Sequence, residues 1–200
     1  MISEMCSHPR TSVAGKLVQE LPGTEQYEIN IRSTDEGLKE KMNEHLRDWQ
    51  PGVLAFKIQT CAISPEYPKA SEGNILRTDF SWTSRENPDP SGRPADTHSS
   101  YNLNGAYGAS DETLTKLHIE CDLPGELGQL SQRTPLVTHS SNTVYVGPRV
   151  GQDAWLRQIH FLHLTARKAT DAVGCENEPL KKNPVMKVYR NAERAAEASK

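Results

Sequence analysis

Four stretches of the chain alternate apolar and polar residues with the period of two that is typical of a strand with one buried face. They are residues 27–31, Val53–Ile63, Asn74–Thr83 and Thr113–Leu123. Leu136–Val146 has a weaker pattern and predicts one or two further short strands, with Val144 and Val146 facing inward. The other side chains predicted to face the core are Tyr27, Ile29, Ile31, Leu54, Phe56, Ile58, Ala62, Leu76, Thr78, Phe80, Trp82, Thr115, Leu117, Ile119, Cys121 and Leu123.

Two other stretches repeat apolar residues at the spacing of three and four that is typical of an amphipathic helix. Residues 34–49 place Leu38, Met42, Leu46 and Trp49 on one stripe, and 152–173 does the same with Trp155, Ile159, Leu162, Ala166 and Val173. Ser33 and Glu36 have the spacing of a capping box, in which a hydroxyl and a carboxylate satisfy free backbone amides at the helix start. Pro51-Gly52 and Gly174 are expected to end the two helices.

These elements predict an α+β fold: a mostly antiparallel sheet of about five strands covered by two main helices, 34–49 and 152–173. We expect one domain over 25–175, with an irregular arm at 1–24 before it and a charged tail or helix at 176–200 after it. The polar stretch 86–105 has no periodicity and four Pro or Gly residues near its start, so it predicts a long loop.

The composition excludes several classes of protein. No apolar run in the 200 residues is long enough to span a membrane, and the start of the chain lacks the hydrophobic run of a signal peptide, so neither feature is expected. The formal net charge of -3 gives no basic field of the kind that nucleic-acid-binding proteins use. No cofactor motif and no closely spaced metal ligands occur, so we expect no cofactor and no metal.

Cysteine usage bears on the compartment. Cys6, Cys61, Cys121 and Cys175 are widely separated and include no C-x-x-C pair. Because no signal peptide is expected, free thiols in a reducing compartment are predicted, and with them a cytoplasmic, intracellular location.

Three histidines could carry acid–base chemistry. His163-Leu164-Thr165 resembles one copy of the His-x-Thr element of the two-histidine phosphodiesterases, which need a second copy because one imidazole accepts a proton while the other donates one. The candidates for the second copy are His118, which lacks the hydroxyl at the third position, and His139. His163 and Thr165 are predicted to lie on a helix, whereas the resemblance implies a strand at that place.

Two tyrosines point instead to a binding role. Tyr101 and Tyr107 lie in an Asn- and Gly-rich segment beside the predicted loop, and tyrosine is enriched at protein contacts. Since no catalytic pattern is complete, the first function hypothesis is a non-catalytic, self-assembling structural or interaction protein, such as a coat, matrix-layer or scaffold subunit. Its partner would be itself or another protein. The alternatives are a small intracellular histidine-dependent hydrolase or phosphodiesterase and a partner-binding adaptor acting through 86–110.

Overall fold

The computed structural model describes residues 12–20, 27–51, 56–65, 76–84, 99–102, 106–110, 114–142, 152–180 and 187–189. Within them the chain forms four α-helices and eight strands. The helices are α1 (Val13–Glu20), α2 (Asp35–Arg47), α3 (Gly128–Ser131) and α4 (Gln152–Val173). The strands are β1 (Tyr27–Ile31), β2 (Ile58–Pro65), β3 (Leu76–Trp82), β4 (Ser99–Asn102), β5 (Ala106–Ser110), β6 (Leu114–Ile119), β7 (Leu136–Asn142) and β8 (Lys187–Tyr189).

All eight strands belong to one antiparallel sheet in the order β1-β2-β3-β7-β6-β5-β4-β8. The predicted α+β class and antiparallel sheet are therefore confirmed, with more strands than the expected five or so. The strands at 27–31, 76–82 and 114–119 match their predictions closely, because each has several consecutive alternations. The first two strands, β1 and β2, lie side by side.

Helix α2 forms where its apolar stripe predicts, and it buries Leu38, Met42 and Leu46. The predicted capping box is wrong by one residue. Thr34 is the N-cap, its hydroxyl accepting a hydrogen bond from the Gly37 amide at 3.1 Å. The Ser33 hydroxyl instead donates to the backbone carbonyl of Gln59 on β2, at 3.3 Å.

Helix α4 occupies the predicted residues 152–173 and ends at Gly174, whose φ of 93° is readily adopted only by glycine. Together with α2 it covers one face of the sheet. The core between these layers holds Leu117 and Ile119 of β6, Phe80 and Trp82 of β3, and the α4 residues Ile159, Leu162 and Ala166. The indole nitrogen of Trp82 donates to the Met42 carbonyl at 2.8 Å and so joins the sheet to α2. Trp49 packs against the same core, as predicted, whereas the side chain of Trp155 lies outside the described residues.

Strand β2 departs from its predicted pattern. Its pairing with β3 shifts between Gln59 and Cys61, which adds a residue to one side of the ladder. Cys61 and Ile63 therefore face the core, and Ala62 faces the other way beside Arg77. Phe56, predicted to face inward, precedes the strand and is 69% exposed.

Several predictions of irregular structure are wrong in part. The predicted arm 1–24 contains α1, and its Leu17 is buried against Phe161. The predicted loop 86–105 contains β4, and the predicted tail contains β8 rather than helix over 187–189. Helix α1 makes only about two turns, β4 begins with two polar residues, and β8 has three residues, so none of them shows a clear period in the sequence. Parts of several predictions lie outside the described residues. They are the rest of the predicted loop (86–98 and 103–105), the predicted inward positions Val144 and Val146, and most of 181–200.

The prediction of free thiols is wrong. Cys121, two residues beyond β6, forms a disulfide with Cys175, two residues beyond α4, with a Cα–Cα distance of 5.0 Å. Cys61 is disulfide-bonded as well. Asn177 reinforces the first bridge by accepting from the Asp122 amide at 3.1 Å and donating to the Glu120 carbonyl at 2.9 Å. The end of α4 is thereby fixed to the end of β6.

Candidate functional site

The strands send two different sets of side chains to the two faces of the sheet. The helix-covered face takes Phe80, Thr138, Leu117 and Gly108, which are paired neighbours across β3, β7, β6 and β5. Because successive residues of a strand point to opposite faces, their sequence neighbours lie on the face turned away from α2 and α4. That face carries Asp79, His139, Lys116, His118 and Tyr107, which we call the polar cluster.

The register of the strands makes these five residues contiguous. Asp79 of β3 is directly opposite His139 of β7, and His139 is in turn opposite Lys116 of β6. His118, two residues beyond Lys116, is opposite Tyr107 of β5, and the centroids of these two rings are 6.3 Å apart. Lys116 therefore has an imidazole beside it both along its own strand and across to β7.

The two imidazoles of the polar cluster are diagonal neighbours. His118 is paired with Val137, and His139 lies two residues beyond Val137 on the same face. Diagonal neighbours in antiparallel sheets have Cα atoms about 7–8 Å apart, which long or aromatic side chains can bridge. A group of a few atoms held between the two rings can therefore contact both.

Burial makes the polar cluster more than a solvated sheet surface. Lys116 is only 8% exposed, and Asp79, His118 and His139 are half-buried. Burial raises the pKa of the Asp79 carboxyl, and the nearby charges of Lys57 and Arg77 lower it again in part. Interactions among these charges are stronger here than at a fully hydrated surface, because less water screens them.

His163, the residue on which the phosphodiesterase resemblance rested, does not join the polar cluster. It lies on α4, on the other side of the sheet, and is fully buried. Burial lowers its pKa to about 4, and the charges of His160 and Arg167 act in the same direction. Neither ring nitrogen has a hydrogen-bond partner among the described residues. His163 is thus a neutral core residue, and its predicted pairing with His118 or His139 is wrong.

Thr165 has a structural role as well. Its hydroxyl donates to the Phe161 carbonyl one turn earlier in α4, at 3.1 Å, and the side chain is fully buried. The His-x-Thr segment is therefore part of an ordinary buried helix.

The two predicted binding tyrosines are separated by the structure. Tyr107 is 45% exposed and belongs to the polar cluster. Tyr101 lies on β4, where its backbone pairs with Gly108 of β5, and its side chain is outside the described residues.

Asp79 and Lys116 were missed by reasoning from the sequence. Both occupy outward positions of strands whose inward positions were predicted correctly, so the alternation that marked the core also marked them. Their proximity to the histidines depends on the pairing of β3 and β6 with β7, which the sequence pattern does not encode.

Other kinds of site receive less support. Among the described residues, no three His, Cys, Asp or Glu side chains are grouped so that they could hold a metal ion. In the same part of the chain, no helix has the length and apolar character needed to cross a bilayer. Comparisons with protein-family models, with curated proteins and with solved structures find no match to this chain.

Proposed function

We propose that the chain is a phosphodiester-cleaving enzyme whose acid–base pair is His118 and His139. The observation that carries the proposal is the placement of these two imidazoles on one half-buried face, diagonal to each other on paired strands. Cleavage of a phosphodiester needs one group that removes a proton from the attacking hydroxyl and another that protonates the leaving oxygen. Two neighbouring imidazoles can perform both steps.

The neighbours of each imidazole suggest which role it takes. Asp79 lies opposite His139, and a carboxylate beside an imidazole orients the ring and stabilises the imidazolium formed when it accepts a proton. His139 is therefore assigned as the base and His118, beside Tyr107, as the acid. Lys116 is paired with His139 and shares a face with His118, so its ammonium group would offset negative charge developing on the phosphate oxygens.

The reaction conserves protons. The attacking hydroxyl gives its proton to His139 as its oxygen bonds to phosphorus. The bond from phosphorus to the leaving oxygen breaks, and that oxygen takes a proton from His118. The imidazoles end in exchanged protonation states, and solvent restores them.

Activity should be measured on poly(U), single-stranded DNA and bis(p-nitrophenyl) phosphate, with wild-type protein, His118→Ala, His139→Ala and Asp79→Asn. Removing a general acid or base costs about 100-fold or more in rate, so each histidine variant should lose at least that factor. His160→Gln is the matched control, because His160 is a half-buried histidine of α4 on the far side of the sheet. Absence of turnover on all three substrates, or full activity in either alanine variant with an intact fold, would refute the assignment.

Self-assembly is a second candidate function, and its support is one exposed aromatic side chain. Phe56 is 69% exposed and packs edge-to-face on His45 of α2, with ring centroids 4.7 Å apart. Exposed aromatic side chains are typical of protein contacts. Light scattering across a dilution series should then show an oligomer that dissociates in Phe56→Ser. A monomer at every concentration would exclude this role.

The disulfides change the expected location. Disulfides persist in oxidising compartments and are rare in the cytosol, so Cys121–Cys175 favours an extracellular or lumenal setting over the cytoplasmic one that the sequence suggested. Thiol titration of the protein recovered from its native source distinguishes the two. Four reactive thiols under denaturing conditions would restore the cytoplasmic prediction.

A further inference from the structure

Tyr107 gives the polar cluster an aromatic surface at its rim. Its side chain is 45% exposed on β5, next to the acid His118 and tilted 43° from that ring. Exposed aromatic rings stack on unpaired nucleobases with little dependence on the base sequence. A base stacked on Tyr107 would place its neighbouring phosphate toward the two imidazoles.

The charges around the cluster suit a phosphate backbone. Lys57 and Arg77 lie close enough to Asp79 to lower the pKa of its carboxyl, and Lys116 is opposite His139. Two cations thus lie near this carboxylate and a third lies beyond His139, in a chain whose formal net charge is -3. Three cations in this region can contact a few phosphates, whereas a protein that binds a long duplex uses a more extended basic surface.

We infer that the substrate is single-stranded RNA and that its own 2′-hydroxyl is the attacking group; this rests on the proposed function. His139 removes the 2′-hydroxyl proton, and the 2′ oxygen bonds to phosphorus. The bond from phosphorus to the 5′ oxygen of the next nucleotide breaks, and His118 protonates that oxygen. The products are a 2′,3′-cyclic phosphate and a free 5′-hydroxyl, with no co-reactant consumed.

The test compares the dinucleotide UpA with its deoxy analogue and with UpA-containing duplex RNA, following products by mass spectrometry. UpA should give uridine 2′,3′-cyclic phosphate, the deoxy analogue should be inert, and the duplex should react at least 10-fold more slowly because its bases are already stacked. The cyclic product should disappear in both His118→Ala and His139→Ala.

The outcomes separate the two proposals. Comparable, histidine-dependent cleavage of the deoxy substrate or of bis(p-nitrophenyl) phosphate would overturn the RNA assignment while leaving a phosphodiesterase. If none of these substrates is cleaved, or if cleavage persists in both histidine variants, then both the RNA assignment and the proposed phosphodiesterase function are overturned.

Tyr107 provides a separate readout. Tyr107→Ala should raise KM for single-stranded RNA about 10-fold or more with little change in kcat, and Tyr107→Trp should restore the wild-type KM. Gln129→Ala is the control, since it truncates an exposed side chain on α3, outside the polar cluster, and should leave KM unchanged. An unchanged KM in Tyr107→Ala would overturn the stacking role.

Discussion

His163 makes the stability of the folded chain depend on pH. The imidazole is fully buried, and its pKa is lowered from 6.5 to about 4 mainly by burial. Below pH 6.5 the unfolded chain binds a proton at this imidazole, whereas the folded chain binds it only near pH 4. The folded state is therefore less stable at low pH, and the part of the free energy of unfolding that is present above pH 6.5 is lost as the pH falls.

The size of the loss follows from the shift. Because the pKa of His163 falls from 6.5 to about 4, the free energy of unfolding decreases by about 3 kcal/mol once both states are protonated, and by about 2 kcal/mol at pH 5. His163→Leu removes the titrating group. It also removes two ring nitrogens without hydrogen-bond partners among the described residues, whose burial costs about 1–3 kcal/mol.

Urea unfolding at pH 7.5 and pH 5 measures both effects. Between these pH values the free energy of unfolding should fall by about 2 kcal/mol more in the wild-type protein than in His163→Leu. At pH 7.5 the variant should be at least as stable as the wild type. His45→Gln, which replaces a histidine on α2, is the control, and its free energy of unfolding should change between pH 7.5 and pH 5 as that of the wild type does. Equal pH dependence in wild type and His163→Leu would show that the imidazole is not held neutral by burial.

Three further changes test the fold. Replacing both Cys121 and Cys175 by alanine removes a bond between residues that are 54 positions apart, and it should lower the free energy of unfolding by about 4 kcal/mol. An unchanged midpoint of urea unfolding would contradict this. Thr34→Ala removes the α2 cap to Gly37 and should cost about 1 kcal/mol by thermal melting; no loss would mean that the cap is dispensable. Gly108→Ala would place a Cβ 2.8 Å from Leu117 and 3.0 Å from Ile159 of α4. Calorimetry should therefore show that the free energy of unfolding falls by about 1–3 kcal/mol, and an unchanged value would show that α4 can move aside.

The long elements could be predicted because their patterns repeat many times. Helix α4 carries its stripe through 22 residues, and β3 alternates through Leu76, Thr78, Phe80 and Trp82, so both were placed almost to the residue. Helix α1 makes only about two turns, β8 has three residues, and β4 is Ser-Ser-Tyr-Asn, which has no alternation of apolar and polar residues, so none of them was recognised. The shift in β2 was missed because one extra residue in a strand leaves no mark in the sequence.

The candidate site was predictable only in its parts. His118, His139 and Tyr107 were singled out for their chemistry, and the alternation of β6 implied that Lys116 and His118 share a face. What brings them to Asp79 is the pairing of β3 with β7 and of β7 with β6, across more than fifty residues of chain for the first pair. The disulfide escaped prediction for the same reason, since its two cysteines are neighbours only after β6 and α4 have packed.

Strand β6 serves both layers of the molecule at once. Thr115 and Leu117 meet α4, with the Thr115 hydroxyl donating to the Gln158 side chain at 3.0 Å, while Lys116 and His118 belong to the polar cluster. A slip of one residue would exchange these two sets. The covalent bond at Cys121 opposes such a slip by tying the strand's end to the helix it packs against. The bond thus adds to a register that the buried side chains of β6 already specify, and the polar cluster on the opposite surface is held more firmly in the oxidised chain than in one with two free thiols.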